Sequence, residues 1–188
     1  DPHRLDINLP TEFGMPPGGL NIRWPDTALE QEARLHNYKR YAVKAFARSN
    51  SFDRIVIDTP RPRLGIITTG KAYLDVRQAL ESLGIDDKRA SALGIRVFKV
   101  GMSWPLDDCG LRAFAEGLEE ILVVEEKRPL LEDQVKAQLY DLPESQRPCV
   151  IGKFDEAGRR VLCTAGILSP GEVAALIGGR ILRTTNDA

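Results

Sequence analysis

LGIITTGKAYLDVRQALESLG, Leu64 to Gly84, reads as a strand, a turn and a helix with nothing between them. Leu64 to Thr69 is an apolar run with little alternation, the pattern of a strand covered on both faces. Tyr73, Val76, Leu80 and Leu83 then recur every three or four residues, one stripe of a helix that Gly84 ends. A strand feeding a helix through so short a turn is the unit of an α/β fold.

The same stretch contains GIITTGKA, Gly65 to Ala72, which satisfies GxxxxGK, the core of a phosphate-binding loop. That motif needs Ser or Thr after the lysine to hold magnesium, and Ala72 has no oxygen. It also needs a loop of exposed N–H groups where Ile66 and Ile67 read as buried strand. Thr68, Thr69 and Gly70 are therefore read as a tight strand-to-helix turn ahead of Lys71, with N–H groups open to an anion at the helix start. No GxGxxG fingerprint occurs elsewhere.

Working outward, four more strands are expected: RIVID (Arg54 to Asp58), IRVFKV (Ile95 to Val100), ILVVE (Ile121 to Glu125) and CVIGK (Cys149 to Lys153). Helices fill the gaps. Leu111, Phe114, Ala115 and Leu118 form one stripe, and Leu131, Val135 and Leu139 another, with Pro129 expected in the first turn. Ser169, Pro170 and Glu172 open a last helix through Val173, Leu176 and Ile177. The alternation predicts an α/β sandwich with a mostly parallel sheet, whose ligand contacts cluster on the loops after the strands.

Two such loops stand out. In KVGMSWPLD, Gly101 suits a turn or a close backbone approach, and Trp104-Pro105 reads as a rigid corner. Trp104 fits either an interface anchor or a residue packed beneath the next helix. In VVEEKRP, Glu125 and Glu126 are adjacent on a strand and point to opposite faces. They cannot easily act as a facing carboxylate pair, which removes a glycosidase reading. One carboxylate suits a neighbouring loop or helix N-terminus, the other a partner domain.

Before Arg54 the chain differs. Residues 1 to 25 hold PPGG (Pro16 to Gly19) and read as an irregular arm. Residues 26 to 50 form a lead-in helix, capped by Thr27 with Glu30 or by Asp26, with an apolar stripe of Leu35, Tyr38, Ala42, Ala45 and Phe46. Residues 51 to 188 are the α/β domain. The polar opening DPHRLD, without an initiator Met, suggests a piece excised from a longer protein.

Charge narrows the partners. Lys plus Arg number 26 against 27 Asp plus Glu, so neither nucleic acid nor a membrane surface is suggested. No apolar run approaches the roughly 20 residues that span a bilayer, and no signal peptide pattern is seen. Cys109, Cys149 and Cys163 lack metal-ligand spacing, which fits a reducing, cytoplasmic setting. Cys149 and Cys163, set among Val, Ile and Leu, are expected in the core. His3 and His36 lie away from the strand-end loops, so no metal site is expected and no catalytic residue is assigned.

The segments TTGKAYLDVRQAL, GIRVFKVGMSWPLD, ILVVEEKRPLLEDQVKAQLYD, IGKFDE and LSPGEVAALI, in that order, resemble the indolepyruvate ferredoxin oxidoreductase family. PPGGLNIRWPDTALEQEARL is similar to the lead-in of its long, fused bacterial forms. The resemblance covers roughly Pro16 to Ile181. It implies the domain similar to the transketolase C-terminal domain: a three-layer α/β/α sandwich with a five-stranded mixed sheet whose first strand is antiparallel at an edge. It further implies a parent enzyme that decarboxylates arylpyruvates with thiamine diphosphate and magnesium. That parent passes electrons through iron–sulfur clusters to ferredoxin, forms an acyl-CoA from coenzyme A and works as a homodimer. The GDG…N motif for thiamine diphosphate and the cysteine-rich ferredoxin motif are both absent here. The expected role is thus a non-catalytic domain docking on the parent's other domains. The alternatives are an independent small-ligand or nucleotide-binding module at the strand-end loops, and a pure assembly module.

Overall fold

The computed structural model describes residues 6 to 186. His3, assigned to the arm from sequence, lies outside the described residues. The chain forms two compact units, one ending at Phe52 and one beginning at Asp53.

In the first unit, residues 6 to 26 are irregular, with a turn at PPGG closed by a hydrogen bond from the Gly19 amide to the Pro16 carbonyl (2.9 Å). Gly18 and Gly19 take φ of +77° and +74°, a region that favours glycine. Thr27 caps helix α1 (Ala28–Arg34) through a reciprocal box with Glu30. Helix α2 (Arg40–Ser49) follows, and between the two lies a π-helical stretch, Leu35–Lys39. The single predicted helix is therefore three segments. A π turn adds a residue to the repeat and rotates the apolar stripe. Ala42 and Ala45 stay buried, whereas Leu35 and Tyr38 are 43% and 38% exposed. Asn50 closes the helix, its side-chain amide donating to the Phe46 carbonyl at 2.8 Å.

The second unit is built on strands β1 (Arg54–Ile57), β2 (Leu64–Thr69), β3 (Ile95–Val100), β4 (Glu120–Val124) and β5 (Cys149–Ile151). They form one sheet in the order β1-β3-β2-β4-β5. β1 is antiparallel to β3 at an edge, and the other neighbours are parallel. Helices α3 (Lys71–Ser82), α4 (Asp87–Ala92) and α7 (Pro170–Asn186) cover one face, over a core containing Ile66, Val76, Val97, Leu122 and Ile177. Helices α5 (Asp108–Ala115) and α6 (Leu131–Leu139) cover the other, over Ile67, Phe98, Phe114, Ile121 and Val135. Neighbouring strand residues thus face different cores, which is why their sequences lack polar alternation.

Gly65 shows how closely the layers approach. A Cβ there would meet Leu118 at 2.4 Å and Phe114 at 2.7 Å, so the strand must carry glycine where α5 packs.

Two expectations change, and one helix was not expected at all. Helix α4 has no apolar stripe to announce it; it is six residues long, capped by Asp86 through the Arg89 amide. Pro129 precedes α6 instead of lying in its first turn, because the helix begins at Leu131. Cys149 and Cys163 are exposed, as is Cys109. Cys149 opens an edge strand and Cys163 lies in a loop, so neither reaches the core that their apolar neighbours enter.

Candidate functional site

The parallel strands deliver their carboxyl ends to one rim of the sheet, and the predicted loops meet there. A cleft of about 330 Å³ is lined by Thr69, Gly70, Lys71, Glu125 and Glu126, with Ser103, Lys127, Arg128 and Leu130. Thr68, Gly101, Trp104 and Pro105 do not line it. Thr68 is fully buried, one residue back along β2, where the alternation of the strand turns it to the opposite face.

The β2 turn is fixed by its own polar groups. Thr69 Oγ1 donates to the Val100 carbonyl at 2.9 Å, joining the ends of β2 and β3. Gly70 precedes α3 with φ +57° and supplies no side-chain cap. Lys71 is engaged within the protein. Its Nζ donates to both Asp75 oxygens (2.9 and 2.7 Å) and to the Leu168 carbonyl (3.3 Å), and lies 3.7 Å from Glu126. The hydrogen bond to Asp75 holds its ammonium above the ordinary lysine range.

The expected strand Ile121 to Glu125 is shifted by one residue: β4 ends at Val124, so Glu125 and Glu126 lie in the loop just past it, and their side chains part there. Glu125 is 4% exposed and turns to α6, taking the amides of Leu130, Leu131 and Glu132 at 3.1, 2.8 and 2.9 Å. It supplies the cap that the helix lacks locally, a carboxylate at the positive end of the helix dipole. Glu126 stays half-buried in the cleft beside Lys71.

The Trp104-Pro105 corner is cis and is tied to α6 by two glutamines. Gln134 donates to the Ser103 carbonyl (2.8 Å) and accepts from the Leu106 amide (2.9 Å); Gln138 donates to the Leu106 carbonyl (3.0 Å). Trp104 remains 57% exposed. Gly101 is held by Asp53, whose carboxylate takes its amide at 2.8 Å and that of Met102 at 3.2 Å. Burial pushes the Asp53 carboxyl above the usual range despite those bonds.

Sequence reasoning missed the residues behind the rim. Lys153 is 1% exposed, its ammonium against the Glu125 carbonyl and 3.5 Å from that of Cys163. Its own amide donates to Glu132 at 2.8 Å, and Glu132 in turn accepts from Lys136 at 2.6 Å. Gly152 makes room for this: a Cβ there would fall 2.0 Å from the Glu132 carboxylate. The only signal in sequence was the pair Gly152-Lys153 at a strand end.

The three dispersed cysteines do not make an iron–sulfur ligand set. An iron–sulfur cluster takes four thiolates. Among the described residues, the one close group of metal-ligating types is Asp107, Asp108 and Cys109, and Asp107 already caps α5 through the Gly110 amide.

A mixed five-stranded sheet with an antiparallel edge, helices on both faces and polar loops at the parallel strand ends defines an α/β/α sandwich domain. Residues 54–188 match the indolepyruvate oxidoreductase domain, and the chain belongs to that family. Indolepyruvate oxidoreductase subunit IorA of Thermococcus kodakarensis is 38% identical over 79 residues, which cover 42% of this chain and 11% of that subunit. The IorA subunit of Methanothermobacter marburgensis is 32% identical over 99 residues, 53% of this chain and 15% of the subunit. The chain thus spans a small part of these relatives. A 2-oxoglutarate:ferredoxin oxidoreductase from Magnetococcus marinus aligns with TM-score 0.47 and 16% identity, over 84% of this chain and 24% of its own. A split-gene transketolase aligns with TM-score 0.48 and 16% identity, over 69% and 41%.

Proposed function

We propose that this chain is a scaffold domain of a larger indolepyruvate:ferredoxin oxidoreductase. That enzyme would decarboxylate arylpyruvates oxidatively to acyl-CoA and reduce ferredoxin, as a cytoplasmic homodimer. Thiamine diphosphate, magnesium and the iron–sulfur clusters belong to its other parts. In this reading Thr68, Thr69, Gly70, Lys71, Gly101, Trp104, Pro105, Glu125 and Glu126 shape the rim that those parts meet.

One observation carries the reading. Glu125, the most deeply placed carboxylate of the cleft, spends its oxygens on three helix amides. A carboxylate whose two oxygens already take three helix amides positions a helix, with most of its acceptor capacity used. Family membership over residues 54–188 supports a parent of this kind.

Calorimetric titration of the chain with magnesium and thiamine diphosphate, and then with coenzyme A, tests this. No heat of binding is expected for either. Saturable binding would favour a small-ligand module, which the 330 Å³ cleft and the uncapped start of α3 would then explain.

A further inference from the structure

The charged side chains of the rim cleft are matched within the domain, with one exception. Glu125 is taken up by the α6 amides, and Lys71 by Asp75, the Leu168 carbonyl and Glu126. Lys127 donates to the Gly166 carbonyl at 2.5 Å. Arg128 also lines the cleft, stands exposed, and makes no hydrogen bond or ion pair among the described residues. Its guanidinium offers a planar fork of donors that matches a carboxylate.

Apolar side chains stand on the lip of the same cleft. Leu130 lines it and is 38% exposed, and Trp104, next to the lining Ser103, is 57% exposed. Ile167 is 74% exposed, and both of its neighbours bind the cleft's lysines: the Gly166 carbonyl takes Lys127 and the Leu168 carbonyl takes Lys71. Those two bonds put Ile167 on the lip as well. Exposed apolar side chains around one polar cleft mark an interaction site. Size then selects the occupant. A cleft of about 330 Å³ has room for a side chain or two. A small free ligand seated in it would leave Trp104 and Ile167 in water, whereas a chain crossing the lip covers them.

We infer that the cleft seats a short segment from the remainder of the parent polypeptide, which inserts one carboxylate side chain against Arg128 and lays its apolar neighbours on Leu130 and Ile167. This rests on the reading that the chain belongs to a larger enzyme. The match covers 11% of the Thermococcus subunit, so such a parent has ample sequence to supply the segment.

Photo-crosslinking in the full-length enzyme tests the inference. The photoreactive p-benzoylphenylalanine, placed at Ile167, is expected to capture one peptide from outside these 188 residues. An Asp or Glu should lie within about three residues of the captured position, the reach from the lip into the cleft. Arg128→Glu should cut the capture at least about tenfold, and Arg128→Lys less. Exchanging the captured carboxylate for Arg in the Arg128→Glu background should restore it. Arg128 is exposed, so the thermal midpoint of the enzyme should be the same in these variants. No capture, capture of residues 1 to 188 from the same or a second copy, a captured segment without a carboxylate, or capture indifferent to Arg128→Glu each overturns the docking and leaves the scaffold reading standing. Saturable, Arg128-dependent binding of free indolepyruvate, with no peptide captured, overturns both. A natural gene product with an intact mass of only 20.9 kDa would likewise remove the larger enzyme, and both readings with it.

Discussion

The Glu125 carboxylate lies 2.8 Å from the backbone nitrogen of Leu131, and it takes the amides on either side of that residue as well. The residue that directly follows β4 therefore starts α6. The helix carries Gln134 and Gln138, which hold the Trp104-Pro105 corner. One side chain thus couples two of the strand-end loops.

Replacing Glu125 should be felt first as stability. Glu125→Ala leaves three helix amides without their acceptor in a buried setting, at a cost of about 2–4 kcal/mol. Glu125→Gln keeps one acceptor oxygen and should lose about half as much. Urea unfolding of the chain measures both. In the parent enzyme the same changes should lower activity through assembly or stability. Loss of a proton-transfer step with assembly intact would sink the positioning role.

Gly152→Ala probes the layer beneath. The added methyl would fall 2.0 Å from the Glu132 carboxylate. Glu132 must swing away, losing its bonds with the Lys153 amide and Lys136. Overpacking together with a stranded buried amide should cost about 2–4 kcal/mol. Thermal unfolding would show a lower midpoint, and a change under about 0.5 kcal/mol would mean that the loop yields easily.

The sheet was legible because its strands are continuous apolar runs and its long helices carry stripes. LGIITT and IRVFKV match β2 and β3 residue for residue. What stayed hidden depends on partners far away in sequence. Glu120 falls outside the expected strand, yet it opens β4 and is buried, paired with Arg180 from 60 residues on. Lys153 looks like a strand end, yet its ammonium is fully enclosed. Helix α4 is short and held by a cap, so periodicity cannot reveal it. At the rim, sequence placed the loops but not the polar ties between them, which span about 30 residues from Ser103 and Leu106 to α6.

The Glu120–Arg180 pair makes a prediction of its own. Both residues are over nine-tenths buried, and Arg180 grips Glu120 through Nε at 2.6 Å and through a second, shorter contact. Arg180→Met leaves Glu120 buried without its cation and should cost about 3–5 kcal/mol. Pairing it with Glu120→Leu should recover most of that loss, since a buried ion pair gains little over apolar packing. Urea unfolding of the single and double variants completes the cycle. Equal losses in both would show that the pair contributes net stability.

Lys153 gives the chain a pH signature. Burial pulls its ammonium below the ordinary lysine value of 10.5, against the pull of Glu125 and Glu132. The unfolded chain then holds this proton more tightly than the folded one. Between the lowered folded value and 10.5, stability from this group rises with pH. Lys153→Met removes the titration and should remove that rise. Unfolding free energies of both proteins from pH 7 to 10 give the difference directly. It should grow in favour of the natural chain as pH climbs. A difference that does not change with pH would mean that the enclosed ammonium titrates as it does in water.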